Sequence, residues 1–187
     1  IGKKKTHVIG INPSQITTED LTVSLQPAAN YVPTDGYSKV AAVERHHNTG
    51  KIGVAVAKGY GIRNGAVASS VSHDSHNIIV IGDNDRDMAL AVDEIIRTQG
   101  GYTVVENGEV FETLPLPIMG LMSDAGFESV NETLGRMIKK AHEMGVPADI
   151  EPFITLSFLA LPVIPTLRIT PRGLWLLTAK GPEILQE

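Results

Sequence analysis

The sequence of 187 residues contains no cysteine. This absence excludes disulfide bonds and thiolate metal sites, and it is compatible with a reducing compartment. Long apolar runs are also absent, because the longest, residues 153–163, is too short to cross a bilayer and contains Thr155, Ser157 and Pro162. No signal-peptide pattern is visible. We therefore expect a cytoplasmic protein that has no membrane partner.

Positive charge is scarce as well. The formal net charge is -5, whereas a protein that binds a phosphate backbone needs a clustered Lys and Arg surface. The composition therefore argues against a nucleic-acid partner. Hydrophobic residues make up 42% and charged residues 20%, which is typical of globular chains. A chain of this length supports one good core, and no linker or repeat divides it, so we predict a single domain over residues 1–187.

The apolar pattern predicts more strands than helices. Alternating or continuous apolar stretches predict strands at residues 7–11, 21–25, 40–43, 52–57, 78–81, 102–105 and 110–112. Apolar residues at helical spacing predict one helix that begins near residues 83–85 and ends before Gly100, and a second over residues 129–144. Turns of hairpin length join most strands. The predicted fold is therefore α+β, a mostly antiparallel sheet with hairpins and about two main helices packed on it.

The sequence lacks the short motifs of self-contained catalytic sites. His-x-His, His-Glu-x-x-His, Gly-x-Ser-x-Gly and the phosphate-binding P-loop are all missing. The glycines at 59, 61 and 65 resemble a dinucleotide-binding pattern only superficially, because the third glycine falls one residue late and no helix pattern follows it. Hairpin turns account for these glycines.

A polar cluster at residues 72–77 is the first candidate site. It consists of Ser72, His73, Asp74, Ser75, His76 and Asn77, and it lies between two apolar runs. Histidine can bind a metal or transfer protons near neutral pH, and a nearby carboxylate can fix its tautomer. Two histidines and one aspartate do not complete a metal site. The alternative is a turn whose side chains cap backbone groups.

The second candidate is the string Glu44-Arg45-His46-His47. In an extended strand Arg45 and His47 would share one face, and Glu44 and His46 the other. If one face belonged to the core, the other could present a base and a cation to a ligand. The alternative is a salt bridge and a polar strand end beside a turn.

Several longer strings together resemble the C-terminal region of adenine deaminases. They are VERHH at 43–47, GAVASSVSHDSHNIIV at 65–80, DMA at 87–89 with Ala91, LPIMGLMS at 116–123 and PFITLSFLALPVIP at 152–165. The resemblance implies an amidohydrolase-superfamily enzyme that converts adenine and water to hypoxanthine and ammonia. In this family two metal ions, usually manganese or iron, are held in a (β/α)8 barrel, which would precede the region we have.

The resemblance also implies a role for this chain, which does not itself contain the barrel. We expect it to cap or complete the barrel active site of the same polypeptide, to hold no metal of its own and to be inactive alone. Candidate catalytic residues are His73, Asp74, His76 and Asn77. Candidate substrate or interface residues are Glu44, Arg45, His46, His47 and Ser72. Apolar stretches 116–122 and 153–163 are candidates for a surface that meets the barrel or supports self-association into a homo-oligomer, although 153–163 is better suited to the core.

Two other interpretations remain open at this point. One is a free-standing, non-catalytic domain that binds a ligand or another protein. The other is a small metal-dependent hydrolase centred on His73, Asp74 and His76.

Overall fold

The structure, a computed structural model, describes residues 4–25 and 36–185. Eleven strands lie within these residues: β1 (Lys4–Ile11), β2 (Thr18–Leu25), β3 (Tyr37–Val43), β4 (Ile52–Lys58), β5 (Gly65–Ser69), β6 (Ile78–Gly82), β7 (Gly101–Glu106), β8 (Glu109–Pro115), β9 (Leu167–Thr170), β10 (Gly173–Thr178) and β11 (Gly181–Ile184). Three helices accompany them: α1 (Asp85–Arg97), α2 (Phe127–Glu143) and α3 (Pro152–Leu159). The predicted α+β class with a mostly antiparallel sheet is confirmed.

The first eight strands form one sheet in the order β2-β1-β4-β3-β6-β5-β7-β8. All neighbouring pairs are antiparallel except β1 with β4, which run parallel. A separate small sheet has the order β11-β10-β9. The predicted hairpins β3–β4 and β7–β8 are both present; a two-residue turn joins β7 to β8, and the longer loop of residues 44–51 joins β3 to β4.

At its centre the large sheet is covered on both faces by other elements. Side chains of a strand alternate between faces, so Ile79 and Ile81 of β6 join a core formed with α2, α3, β9 and β10. Ile78 and Val80 of the same strand face the opposite way and pack with α1. A strand buried on both sides reads as a continuous apolar run, which is the pattern that predicted β6.

The two predicted helices are confirmed. Asn84 caps α1, since its side-chain oxygen accepts a 2.8 Å hydrogen bond from the backbone N–H of Asp87. The apolar face of α1 buries Met88, Ala91 and Ile95. Helix α2 begins at Phe127, two residues before the predicted start, and its terminus at Met144 precedes a left-handed glycine, Gly145.

The third helix, α3, was not predicted. Residues 153–163 are apolar on every side, so they lack the 3.6-residue alternation that marks a surface helix. Glu151 caps the helix by accepting a hydrogen bond from the N–H of Ile154, and Pro152 occupies its first turn. Phe153, Leu156 and Leu159 are buried, as expected for this stretch, whereas Ile154 and Val163 are exposed.

Three loops gather at one end of the large sheet. Strands β3, β5 and β8 end there, while β4, β6 and β7 begin there, as the pairings Val43 with Ile78 and Gly101 with Pro115 require. The loops are residues 44–51, 70–77 and 116–123, and we call this region the three-loop end. Both candidate clusters lie within it. Across residues 4–25 and 36–185, no helix combines the length and apolar character needed to span a membrane.

Candidate functional site

Arg45 holds the three loops of the three-loop end together. Its Nε donates a 2.6 Å hydrogen bond to the carbonyl oxygen of His76, and its Nη2 donates a 2.6 Å bond to the carbonyl oxygen of Met119. Its backbone N–H donates to Oδ1 of the buried Asn77 at 3.2 Å. Burial lowers the pKa of the Arg45 guanidinium, which nevertheless stays charged at neutral pH. Arg45 is therefore a cross-link between loops.

Glu44 stabilises a turn, and the expectation of an extended strand at residues 44–47 is wrong. Strand β3 ends at Val43. The Glu44 carboxylate accepts hydrogen bonds from the backbone N–H groups of His46 at 2.5 Å, His47 at 2.8 Å and Thr49 at 3.0 Å. The Thr49 bonds, together with those from His47 and His46, lower the pKa of Glu44 to about 2. The Glu44 carboxylate therefore stabilises its own turn, and its hydrogen bonds are made within that turn.

His46 and His47 are exposed at the tip of this turn. The Nε2 atom of His46 lies 2.6 Å from the carbonyl oxygen of Ser75, so this ring nitrogen carries the proton and donates it. The two imidazole rings are arranged edge to face with centroids 6.4 Å apart. His46 thus adds a second link between the first and second loops, and His47 faces solvent.

His73 is packed against helix α3. Its ring centroid lies 5.1 Å from that of Phe158 and 6.0 Å from that of His76. Its backbone N–H donates to the carbonyl oxygen of Ser157 at 3.1 Å. Helix α3 therefore supports the second loop from below, which is a role that the sequence did not predict.

His76 has an unused polar atom. Its backbone is in the left-handed region with φ 49°, and its Nδ1 is buried without a hydrogen-bond partner among the described residues. Burial, followed by the charges of His73, Arg45 and His46, lowers the pKa of His76. The ring is therefore neutral at pH 7. A neutral imidazole with a free nitrogen can donate or accept one more hydrogen bond, according to its tautomer.

The remaining candidates of the cluster differ in exposure. Ser72 is buried, and its hydroxyl oxygen also lacks a hydrogen-bond partner within residues 4–25 and 36–185. Asp74 is exposed, and its charge raises the pKa of His76 against the larger opposing effects. Asn77 is held by Arg45. The structure thus brings all nine candidate residues to one end of the sheet, but only Ser72 and His76 have buried polar atoms without partners.

Two residues outside the predicted set complete the framework. Ser70 is buried, and its hydroxyl donates to the carbonyl oxygen of Gly120 at 2.6 Å and accepts from the N–H of Gly101 at 2.8 Å. Gly120 lies against the Arg45 guanidinium so closely that a Cβ would be 2.3 Å from Nη1. The spacing of Ser70 and Gly120 in the sequence did not indicate either contact.

The donor set does not fit a metal centre. Among the described residues, no group of three or more His, Cys, Asp or Glu side chains is placed to hold a metal ion. The rings of His73 and His76 lie near each other, with centroids 6.0 Å apart, but two histidines do not complete a metal site. A cavity of about 650 Å³ is lined by residues 51–54 and 171–173 and includes none of the nine candidates. The candidate residues are therefore not part of this cavity.

The sequence of the chain matches a known family of protein domains. Residues 15–180 match the family model of the adenine deaminase C-terminal domain. The chain therefore belongs to the adenine deaminase C-terminal domain family, as the resemblance in its sequence implied.

Individual relatives are named adenine deaminase. That of Desulfitobacterium hafniense is 54% identical over 170 residues, and that of Nitratidesulfovibrio vulgaris strain DP4 is 52% identical over 171 residues. Each match covers 90% of this chain and 30% of the relative. A Bacillus velezensis adenine deaminase is 43% identical over 174 residues, covering 92% of this chain and 30% of the relative. The chain thus spans about 30% of the length of these curated relatives.

Proposed function

We propose that this chain is the C-terminal part of an adenine deaminase and that its three-loop end closes over the active site of an amidohydrolase barrel in the same polypeptide. The observation that carries the proposal is family membership over most of the chain, together with relatives that bear the name adenine deaminase. The reaction is the hydrolysis of adenine to hypoxanthine and ammonia, which would serve purine salvage in the cytoplasm.

The proposal divides the chemistry between the two parts. Manganese or iron in the barrel would supply an activated water at neutral pH. This chain contributes binding and exclusion of water, because the donor set of its described residues does not fit a metal site. We therefore expect the isolated chain to be inactive.

His76 and Ser72 are the residues we assign to contact with the purine or with the barrel, after a movement of the loop of residues 70–77 that exposes their polar atoms. Their buried polar atoms lack partners among the described residues, and a buried group of this kind costs free energy until a partner arrives. A purine offers ring nitrogens that accept hydrogen bonds and an amine that donates them. The neutral imidazole of His76 can complement either kind of group.

Adenine deamination by a reconstituted mixture tests the proposal. Hypoxanthine formation is measured with manganese present for this chain alone, for a separately produced barrel and for the mixture. We expect activity in the mixture well above that of the barrel and none in the chain alone. Activity in the chain alone would overturn the proposal in favour of a catalytic centre around His73 and His76. A mixture no more active than the barrel would favour a free-standing interaction domain.

Histidine variants test the assignment of residues in the same mixture. We expect His76→Ala to lower kcat/KM for adenine by about tenfold or more, in the range of a lost buried hydrogen bond, and His73→Ala to lower it less, because the His73 ring only packs beside that of His76. His7→Ala is the matched control, because His7 lies on β1 and pairs with Asp20 at 2.9 Å, outside the three-loop end. Unchanged kcat/KM in both test variants would remove these histidines from the site.

A further inference from the structure

The third loop contains a closed turn with an unusual backbone. The N–H of Ile118 donates to the carbonyl oxygen of Met122 at 3.2 Å, and the N–H of Met122 donates back to that of Ile118 at 3.2 Å. At the tip, Met119 has φ 57° and Gly120 has φ 75°. The left-handed region suits glycine, but a bulky side chain such as methionine rarely adopts it. We call residues 118–122 the apolar turn.

The surroundings hold the apolar turn in this conformation. The Nη2 atom of Arg45 donates to the carbonyl oxygen of Met119, and the hydroxyl of Ser70 donates to that of Gly120, both at 2.6 Å. These bonds come from the other two loops of the three-loop end. A strained residue persists only where its neighbours fix it, and such residues concentrate at functional sites.

The side chains of the apolar turn point away from the core. Met119 is 69% exposed, Met122 is 49% exposed and Ile118 is 43% exposed. Exposed turns ordinarily carry Gly, Asn, Asp, Ser or Pro, because those residues adopt turn conformations and tolerate water. Here three neighbouring apolar side chains are presented on a rigid backbone. A rigid apolar projection loses little conformational entropy on binding, which is the property of an interface anchor.

We propose that the apolar turn is the anchor by which this chain docks into an apolar pocket on the catalytic barrel of its own polypeptide. This inference rests on the proposed function. The matches cover 90% of this chain but only 30% of each relative, so most of the relatives' polypeptide is available as the occupant. Arg45 bonds both to the apolar turn and to the loop of His73 and His76, so docking of one positions the other. Methionine suits the contact because its flexible thioether fills irregular pockets.

Binding of variants to the barrel tests the inference. Calorimetry measures the Kd between this chain and the separately produced part of the Desulfitobacterium hafniense relative that lies outside the match. We expect Met119→Glu to weaken binding at least about tenfold, as for an interface hot spot. Met119→Gly should weaken it too, while its thermal unfolding midpoint stays at or above that of the unmodified chain, because glycine relieves the strained φ.

Ile16→Glu is the matched control. Ile16 is 50% exposed but lies in the β1–β2 loop. That loop is at the opposite end of the sheet, because β1 runs parallel to β4 and β4 begins at the three-loop end. We expect this variant to bind like the unmodified chain. An equal loss in the control, or unaltered binding by both Met119 variants, would overturn the inference while leaving the proposed function standing.

Two further outcomes separate the alternatives. If the unmodified chain does not bind the barrel, the proposed function fails and this inference fails with it. Sedimentation of the chain alone tests a second copy as the occupant. Dimers that dissociate in Met119→Glu would assign the apolar turn to self-association and overturn docking on the barrel.

Discussion

Glu44 and Arg45 are neighbours in the chain, yet they stabilise different parts of the molecule. Among the residues that the structure describes, the Glu44 carboxylate bonds only to groups within five residues of itself. The Arg45 guanidinium bonds to carbonyl groups 31 and 74 residues away. A carboxylate surrounded by successive N–H groups is a local device, whereas a planar cation with five donors can join separate segments. The two residues therefore respond differently to pH and to substitution.

The lowered pKa of Glu44 predicts that the fold loses stability in acid. Its pKa falls from the ordinary value of 4.5 to about 2 in the folded protein. A folded-state pKa below the unfolded value stabilises the fold above pH 4.5, and that stabilisation disappears as the pH falls towards 2. We expect the thermal midpoint of the native chain to exceed that of Glu44→Gln at pH 7 and the gap to close near pH 2.

Titration of the Glu44 carboxyl group by NMR checks the same prediction directly. A titration midpoint near the ordinary value of 4.5 would show that the turn does not hold the carboxylate. A constant difference between the thermal midpoints of the native chain and Glu44→Gln across this pH range would show the same. The matched control substitution is Glu109→Gln, at an exposed glutamate of β8.

At the scale of elements, the space around a backbone position determines where glycine is needed. Gly120 sits in the apolar turn at φ 75°, with the Arg45 guanidinium where its side chain would be. Gly135 lies inside α2, and no atom approaches within 4 Å of the position that a Cβ would occupy there. The same residue type therefore supports the structure in one place and weakens it in the other.

Alanine substitution should separate these two glycines. We expect Gly120→Ala to lower the free energy of unfolding by about 2 kcal/mol, since it combines a left-handed backbone with displacement of a hydrogen-bonded side chain. Gly135→Ala should raise it by about 0.5–1 kcal/mol, the difference in helix propensity. Urea denaturation measures both. Equal effects of the two substitutions would contradict the contact between Gly120 and Arg45.

At the scale of the whole molecule, one buried cation joins the two sheets. Arg168 of β9 is fully buried, and it donates to the carbonyl oxygens of Ile16 and Pro165, both at 2.7 Å, and of Ile164 at 3.0 Å. Thr18 adds a hydroxyl that donates to the carbonyl oxygen of Leu167 at 2.8 Å. Burial lowers the pKa of Arg168 to about 10, so the side chain is charged at neutral pH. The carbonyl dipoles compensate this charge.

Removal of Arg168 should destabilise the whole fold. We expect Arg168→Met to lower the free energy of unfolding by about 3 kcal/mol, because several buried carbonyl groups lose their donors at once. Arg172→Met is the control, since Arg172 is exposed, and should change it by less than about 0.5 kcal/mol. Guanidinium denaturation measures both. A loss below about 1 kcal/mol for Arg168→Met would mean that water replaces the lost donor.

Prediction from sequence succeeded where the structure depends on residues that are close together in the chain. Continuous β-branched runs identified β6, and helical spacing identified α1 and α2. It failed for residues 44–47, which were expected to be extended. Backbone N–H groups there bond to the Glu44 carboxylate and form a turn, so β3 ends before them. It also failed for α3, which is apolar on all sides. The cluster at residues 72–77 was placed between two strands, where the structure has a loop, but residues 44–47 were expected in a strand, and the partners of Arg45 and the role of Gly120 could not be read from spacing.

The sequence by itself therefore determined the fold class, the order of most elements and the family, because turn chemistry and apolar periodicity act over a few residues and the family strings lie in order along the chain. Only the tertiary structure decided which loops meet. Sheet order brings residues 44–51, 70–77 and 116–123 to one end, although β5 pairs with β7 across 32 intervening positions or more. Contacts between distant segments depend on how strands are ordered in space, and that order follows from burying both faces of the sheet at once.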